Sequence, residues 1–170
     1  MAKTFYESKG LFIKILKTND AMNIFEAIRE DHQKQRTLVD LLVKTHGDSE
    51  GRNEIFARLK RELEVHADAE ERHFYKPLIS ADLTQDKARH SIAEHHDIEE
   101  LIEKLEETDM SSSAWVHYAG QLKEQVIHHL DEEEHEVFQM AGKVLSENQK
   151  SSLATSYKKD MEKMKEEYSK

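Results

Sequence analysis

The strongest constraint on this chain is a set of histidines and glutamates that occurs twice with the same spacing. His32 is followed 34 positions later by His66, and Glu70 lies one helical turn further on. A shift of 63 residues reproduces the set as His95, His129 and Glu133. Two related halves that each supply imidazole and carboxylate groups contain the donors that a two-metal site between paired helices requires. The repeat therefore predicts a metal-binding helical protein.

The composition favours a helical domain and excludes several kinds of site. The 170 residues fit one domain, and 5 Gly and 1 Pro leave few helix breakers. Because the sequence has no cysteine, disulfides, thiolate metal sites and a thiol nucleophile are excluded. A net charge of −10 argues against nucleic acid or an anionic membrane surface as a partner. There is no run of 18 apolar residues and no signal-peptide pattern, so we expect no membrane span and a cytoplasmic protein.

The first half of the sequence predicts two long helices from its apolar spacing. The first helix is expected to be capped by Asn19 or Asp20 and to end near Gly47. The second is expected to run from about Asn53 to a C-terminal end at or just before Pro77.

The second half predicts two further helices of similar length. The third opens at Asp82 or Thr84, and the fourth is capped by a serine of residues 111–113 and ends near Gly142. Four helices with short connections predict an all-α, up-down-up-down four-helix bundle over residues 19–143.

Two segments lie outside the predicted bundle. Residues 1–18 form an N-terminal extension that contains a short apolar-rich piece, residues 4–17. Residues 144–170 form a C-terminal extension, and a thin apolar stripe over residues 146–168 predicts a charged helix. That helix either docks along the bundle or mediates assembly with a second copy or a partner protein.

Position relative to the apolar stripes separates the repeated residues from the other histidines. His66 and Glu70 continue the stripe that includes Leu63, and His129 and Glu133 continue the corresponding stripe of the fourth helix. Other His–Glu pairs fall off these stripes and are interpreted as solvated surface pairs: His46/Glu50, His90/Glu94, His96/Glu100 and His128/Glu132. A buried, unpaired carboxylate costs several kcal/mol. Two inward glutamates and four inward histidines are therefore interpreted together, as metal ligands.

The donor types restrict the metal and the kind of site. Imidazole and carboxylate without thiolate suit Fe, Mn or Zn. Neither His-Glu-x-x-His nor His-x-x-Glu-His occurs, which argues against a zinc peptidase. Ferritin-like di-iron bundles place Glu three residues before His, whereas here His precedes Glu by four.

In these residues and their spacing, the chain resembles hemerythrin-like proteins of the HHE cation-binding family over residues 20–143. The resemblance rests on the six repeated residues and on flanking segments such as 70–77 and 132–138. It implies a non-haem di-iron centre bridged by both glutamates and by an oxo, hydroxo or water ligand, with two terminal histidines per iron. It also implies a small partner molecule, namely O2, NO or peroxide.

The chain departs from the oxygen-carrying members of that family, which use five histidines and a bridging aspartate. Ser91 and Glu99 stand one turn either side of His95, and Glu133 takes the place of the aspartate. Because this chain has one histidine fewer, one iron would keep an additional exchangeable coordination position. That difference favours peroxide or NO chemistry over simple oxygen carriage. His73 and Glu99 are candidates for a further ligand.

The function predicted from the sequence is a di-iron protein that binds O2 or a related small oxidant in a sensing or redox role. The alternatives are an enzyme that decomposes peroxide or NO, an iron-handling or repair protein, and a structural site that holds zinc. An apolar lining is expected from Ile28, Leu63, Ile92 and Val126. Partners for the histidine N–H groups are expected among Asp31, Glu94 and Asp97. Tyr75, Tyr118 and Trp115 are candidates to line a pocket or relay electrons, and filling of the core is the preferred interpretation.

Overall fold

The computed structural model describes residues 22–168 of the chain. The helices in that range are α1 (Ile24–Leu42), α2 (Glu50–Glu70), α3 (Lys76–Ile79), α4 (Gln85–Glu107), α5 (Ser113–Glu132), α6 (Phe138–Val144) and α7 (Glu147–Tyr168). A π-helical turn, Glu71–Tyr75, joins α2 to α3, and another, Glu133–Val137, joins α5 to α6. The prediction of an all-α four-helix bundle is confirmed, with α1, α2–α3, α4 and α5–α6 as its four members. The predicted N-terminal extension lies outside the described residues.

The first two helices begin at other residues than the sequence predicted. Asn23, rather than Asn19 or Asp20, caps α1, because its side chain accepts from the Glu26 backbone and the Glu26 side chain accepts from the Asn23 backbone. Ser49 caps α2, so that helix begins three residues before Asn53. Several polar residues compete as caps here, and spacing alone does not choose among them.

Pro77 does not end the second bundle helix as predicted. It lies directly after the π-helical turn, at the second residue of α3, and the helix continues past it to Ile79. The predicted start at Thr84 and the serine cap are both correct: α4 begins at Gln85, and Ser112 accepts from the Trp115 backbone N–H.

Two apolar clusters fill the bundle on either side of the predicted metal residues. One contains Ile24, Ile28, Phe74 and Val137, and the other contains Leu38, Leu63, Leu105 and Trp115. His32 lies between these clusters along α1. The predicted metal ligands are thus enclosed by apolar side chains on both sides. This surrounding raises the free-energy cost of leaving their polar atoms unpaired.

The C-terminal helix α7 packs along α1 and α2. Its Ala154, Tyr157 and Met161 are buried in the same cluster as Ile24 and Val65. The docked arrangement of this helix is therefore the observed one, and a role in assembly stays a prediction. Among the helices of residues 22–168, none has an apolar stretch long enough to cross a membrane.

Candidate metal centre

The six residues predicted as ligands come together in the middle of the bundle. They lie on α1, α2, α4 and α5 and in the π-helical turn after α5: His32, His66, Glu70, His95, His129 and Glu133. All six are buried, and the most exposed, His95, retains 8% of its accessible surface. The off-face histidines His46, His96 and His128 are exposed, as the sequence predicted.

The six side chains form two groups that share one carboxylate. The first group contains His32, His66, Glu70 and Glu133, and the second contains Glu70, His95 and His129. Within each group, one ligand atom of every residue lies within 4.8 Å of the others. The His66 and His95 Nε2 atoms lie 3.4 and 3.2 Å from the same Glu70 Oε2. Glu70 is thus placed between two histidine pairs, as a bridging ligand would be.

Several atoms at the centre of this cluster lack hydrogen-bond partners. Among the described residues, the buried atoms without a partner include His32 Nε2, His66 Nε2, Glu133 Oε2 and both carboxylate oxygens of Glu70. Buried polar groups of folded proteins are normally satisfied, so unpartnered atoms that converge on one point fit a cation-binding site. Imidazole nitrogen and carboxylate oxygen are suitable donors for Fe, Mn or Zn.

Two histidines are oriented by a glutamate from the opposite half of the repeat. The His32 Nδ1–H donates to Glu134 Oε1 over 2.8 Å, and the His95 Nδ1–H donates to Glu71 Oε1 over 3.0 Å. The 63-residue shift converts one contact into the other. Each contact leaves the Nε2 atom directed into the cluster, and this fixes the ring in the tautomer that a metal requires.

The other two histidines are oriented by an acidic residue on the neighbouring helix. The His129 Nδ1–H donates to Glu94 Oε2 over 2.9 Å. In the first half, a tyrosine from α7 is inserted into the corresponding contact. The Tyr157 hydroxyl donates to Asp31 Oδ2 over 2.8 Å and accepts from the His66 Nδ1–H over 2.7 Å. The C-terminal helix therefore supplies part of the site.

A second tyrosine touches the cluster directly. The buried Tyr75 hydroxyl donates to Glu133 Oε1, and its ring centroid lies 5.7 Å from that of His95. Tyr75 lies in the apolar core, as the sequence predicted, and its hydroxyl contact with Glu133 is an additional role. The related residue of the second half is Phe138, which stacks on His32 at a centroid distance of 6.2 Å. At this pair of related positions the first half therefore contributes a hydroxyl group, whereas the second half contributes only an aromatic ring.

Without a metal, the cluster has unusual proton affinities. Burial lowers the pKa of His32, but the nearby carboxylates of Glu133 and Glu134 outweigh it and raise the pKa to about 9. The same balance raises the pKa of His95 to about 9. Burial holds the pKa of His129 below its ordinary value. The hydrogen bond from His32 and that from Arg36, against the effect of partial burial, lower the pKa of Glu134 to about 2.

Three further residues considered from the sequence lie away from the cluster. His73 pairs with Asp160 of α7, with its Nε2 atom 3.0 Å from the aspartate oxygen. Glu99 is exposed and pairs with His96. Asp97 is exposed on the outside of α4. Glu94 is a direct partner of a histidine, as the sequence predicted, whereas Asp31 is connected to His66 only through Tyr157.

The orienting residues that sequence reasoning missed are Glu71, Glu134 and Tyr157. The two glutamates follow the repeated ligands Glu70 and Glu133, so the 63-residue shift relates them as well. The repeat could therefore have identified both glutamates from the sequence. No spacing connects Tyr157 with the bundle helices, because its role depends on how α7 docks.

A cavity of about 1110 Å³ between α2, α4 and α7 reaches the cluster. Its wall includes His66, His95 and His129, together with the apolar side chains of Leu63, Ile92, Ile98 and Ile102. Ile28 and Val126, also predicted as lining, belong to the two buried cores. Gln35 lines this cavity too, and its Nε2 atom is buried without a partner in the described part of the chain.

The four-helix bundle encloses two histidine groups that share one glutamate. This arrangement is typical of helical metal-binding domains. The chain matches the Hemerythrin HHE cation binding domain family over residues 23–141, and it belongs to that family.

Two individual proteins are similar to it. A crystal structure of a Hemerythrin HHE cation binding domain-containing protein, an Rv2633c homolog from Mycobacterium kansasii, has the same fold with a TM-score of 0.77. It is 22% identical, over 86% of this chain and 89% of that one. A protein named DNA nickase from Nostoc sp. (strain PCC 7120) is 28% identical over 137 residues. The match covers 81% of this chain and 38% of the Nostoc protein.

Proposed function

We propose that this protein binds two iron ions in the bundle and uses them to bind O2 or a related small oxidant. The observation that carries the proposal is Glu70, whose two unpartnered oxygens lie between two pairs of histidines. The ligands would be the four Nε2 atoms and the two glutamates. A shared carboxylate suits two ions at close range better than one ion.

Iron is one of the metals that suit a buried set of imidazole and carboxylate donors. Imidazole with carboxylate and no thiolate is the ligand set of non-haem iron sites. When bound, a pair of ferrous ions supplies electrons to a small oxidant. The family implies a bound cation, and its choice as iron rests on the resemblance given above.

The surrounding residues would admit and hold a small molecule. The cavity along α2, α4 and α7 connects solvent with three of the four histidines. Its apolar wall would exclude bulk water and limit the escape of reactive products. Gln35 lies at the same cavity, and its free amide N–H group would donate a hydrogen bond to an oxygen-containing ligand.

The proposal is tested by loading the protein with ferrous iron without air and then exposing it to O2. We expect two irons per chain and the absorption bands of a diferric centre. His66→Ala and His129→Ala should each lose both signals, whereas His117→Ala, which removes an exposed histidine of α5, should keep them. Retention of zinc alone, or no metal uptake, would contradict the proposal.

Reaction with peroxide separates a binding or sensing role from an enzyme. Rapid, catalytic loss of hydrogen peroxide in the presence of the iron-loaded protein would favour the enzyme, and slow reaction with reversible O2 binding would favour the sensor. The match covers only 38% of the Nostoc protein, and a net charge of −10 disfavours binding of nucleic acid by this chain.

A further inference from the structure

The two halves of the bundle differ on their outer faces at positions related by the 63-residue shift. In the first half these positions are apolar: Ile24, Ala27, Val65 and Ala69. All four are buried in one cluster with residues of α7. In the second half the same positions are Lys87, His90, His128 and Glu132. The docked helix thus covers one face, while His90 and His128 of the other keep 52% and 62% of their side-chain surface exposed.

The exposed face brings two histidines together with two carboxylates. The His90 Nε2 lies 3.6 Å from Glu94 Oε1 and 3.7 Å from Glu132 Oε1. The His128 Nε2 lies 3.4 Å from the same Glu94 oxygen and 3.6 Å from Glu132 Oε2. The pairs come from two helices, α4 and α5, and ligand atoms of His90, Glu94 and Glu132 lie within 4.8 Å of one another.

These separations suit a bound ion better than direct contacts. They exceed the usual range for a hydrogen bond between nitrogen and oxygen, which is about 2.7–3.2 Å. Ligands at about 2.0–2.1 Å from a tetrahedral ion lie about 3.4 Å from each other. We propose that this face binds one divalent transition-metal ion through His90, Glu94 and Glu132, with His128 beside the two carboxylates as a second exposed imidazole.

The surface site and the buried centre have Glu94 in common. Its Oε1 faces the two exposed histidines, and its Oε2 accepts from the Nδ1–H of His129. The side chain of Glu94 is itself nearly buried, at 6% exposed. An ion on the surface would therefore act on the carboxylate that orients a ligand of the buried centre.

Lys87 is the competing cation at this face. Its ammonium lies 2.9 Å from Glu132 Oε1 and 2.5 Å from a Glu136 oxygen. Binding of a metal ion would displace the ammonium from Glu132, and Glu136 would keep it. Removal of the Lys87 charge should accordingly strengthen metal binding, which is the opposite of what loss of a histidine should do.

The proposal is tested by calorimetric titration of Zn²⁺ into the full chain. His90→Ala/His128→Ala should bind one Zn²⁺ fewer than the unmodified protein. His96→Ala/His117→Ala, which removes one exposed histidine from each of the same two helices, should keep the full number. Circular dichroism checks that both variants retain their helices. Equal stoichiometry and affinity in the two double variants would overturn the proposal.

A second variant keeps the test independent of any loss of structure. Lys87→Met should bind Zn²⁺ at the surface site more tightly than the unmodified protein, and the gain should vanish when His90→Ala/His128→Ala is added. Unchanged or weaker binding in Lys87→Met would count against the site. The test uses the metal alone, and its outcome is separate from the identity of the metal in the bundle.

Discussion

His32 and Glu134 lie 102 positions apart, and the histidine Nδ1–H donates to the glutamate over 2.8 Å. The same contact recurs between His95 and Glu71 with the roles of the two halves exchanged. Each half of the repeat therefore orients a histidine of the other half. Neither half can present its metal ligands correctly unless the whole bundle has assembled.

We expect Glu134→Gln to weaken metal binding about 10–100-fold, because the substitution removes the charge that holds His32 in the binding tautomer. Glu71→Gln should have a similar effect through His95. Competition with a chelating dye measures the change. Glu124→Gln removes an exposed glutamate of α5 and serves as the control. Full affinity in Glu134→Gln would show that this contact does not orient the ligand.

We expect Tyr157→Phe to reduce both stability and metal affinity. The variant leaves the His66 Nδ1–H and the Asp31 carboxylate without their shared partner, at a cost of about 1–3 kcal/mol. Urea denaturation of the metal-free protein measures the free energy of unfolding. Tyr118→Phe changes a partly buried tyrosine elsewhere and should have little effect. Identical unfolding curves for the two variants would contradict the bridging role.

Helical periodicity predicted the fold and the convergence of the six residues, whereas their role as metal ligands stays a prediction. Residues four apart on an apolar stripe face the core together, and the repeat places His66 and His129 in equivalent positions. Helix starts were less predictable, because Asn23 competed with other polar residues as a cap. The π-helical turns leave no pattern in composition or spacing, although such turns are frequent at functional sites.

Contacts made by the C-terminal helix were beyond prediction for a different reason. A thin apolar stripe predicts that α7 is helical but not which face of the bundle it covers. The role of Tyr157 follows only from that docking. Tyr75 posed a similar problem, because a large aromatic residue on a core face is normally interpreted as packing, and its hydroxyl partner depends on the three-dimensional arrangement.

Metal affinity should rise with pH between about 6.5 and 9. In the metal-free protein the pKa values of His32 and His95 are raised to about 9, above the ordinary 6.5. Their ion pairs thus stabilise the metal-free fold fully below pH 6.5, and that stabilisation is lost as the pH rises through 9. A metal ion requires the neutral rings, so protons are released on binding. Isothermal titration in two buffers of different ionisation enthalpy counts those protons. No release, with affinity independent of pH, would contradict the assignment of these two residues.

Gln35→Leu should weaken the binding of small oxygen-containing or anionic ligands without loss of metal. The substitution keeps the buried volume similar but removes the amide N–H that faces the cavity. Azide titration of the iron-loaded protein, followed by absorption, measures the effect. Gln33→Leu alters an exposed glutamine of the same helix and is the matched control. Equal azide affinity in both variants would exclude Gln35 as a donor to the ligand.

The most direct test of the two-metal centre is anomalous X-ray diffraction at the iron edge from crystals of the iron-loaded protein. We predict two peaks inside the bundle, one beside His32 and His66 and the other beside His95 and His129, with Glu70 between them. A single peak, or peaks that lie away from these histidines, would contradict the account.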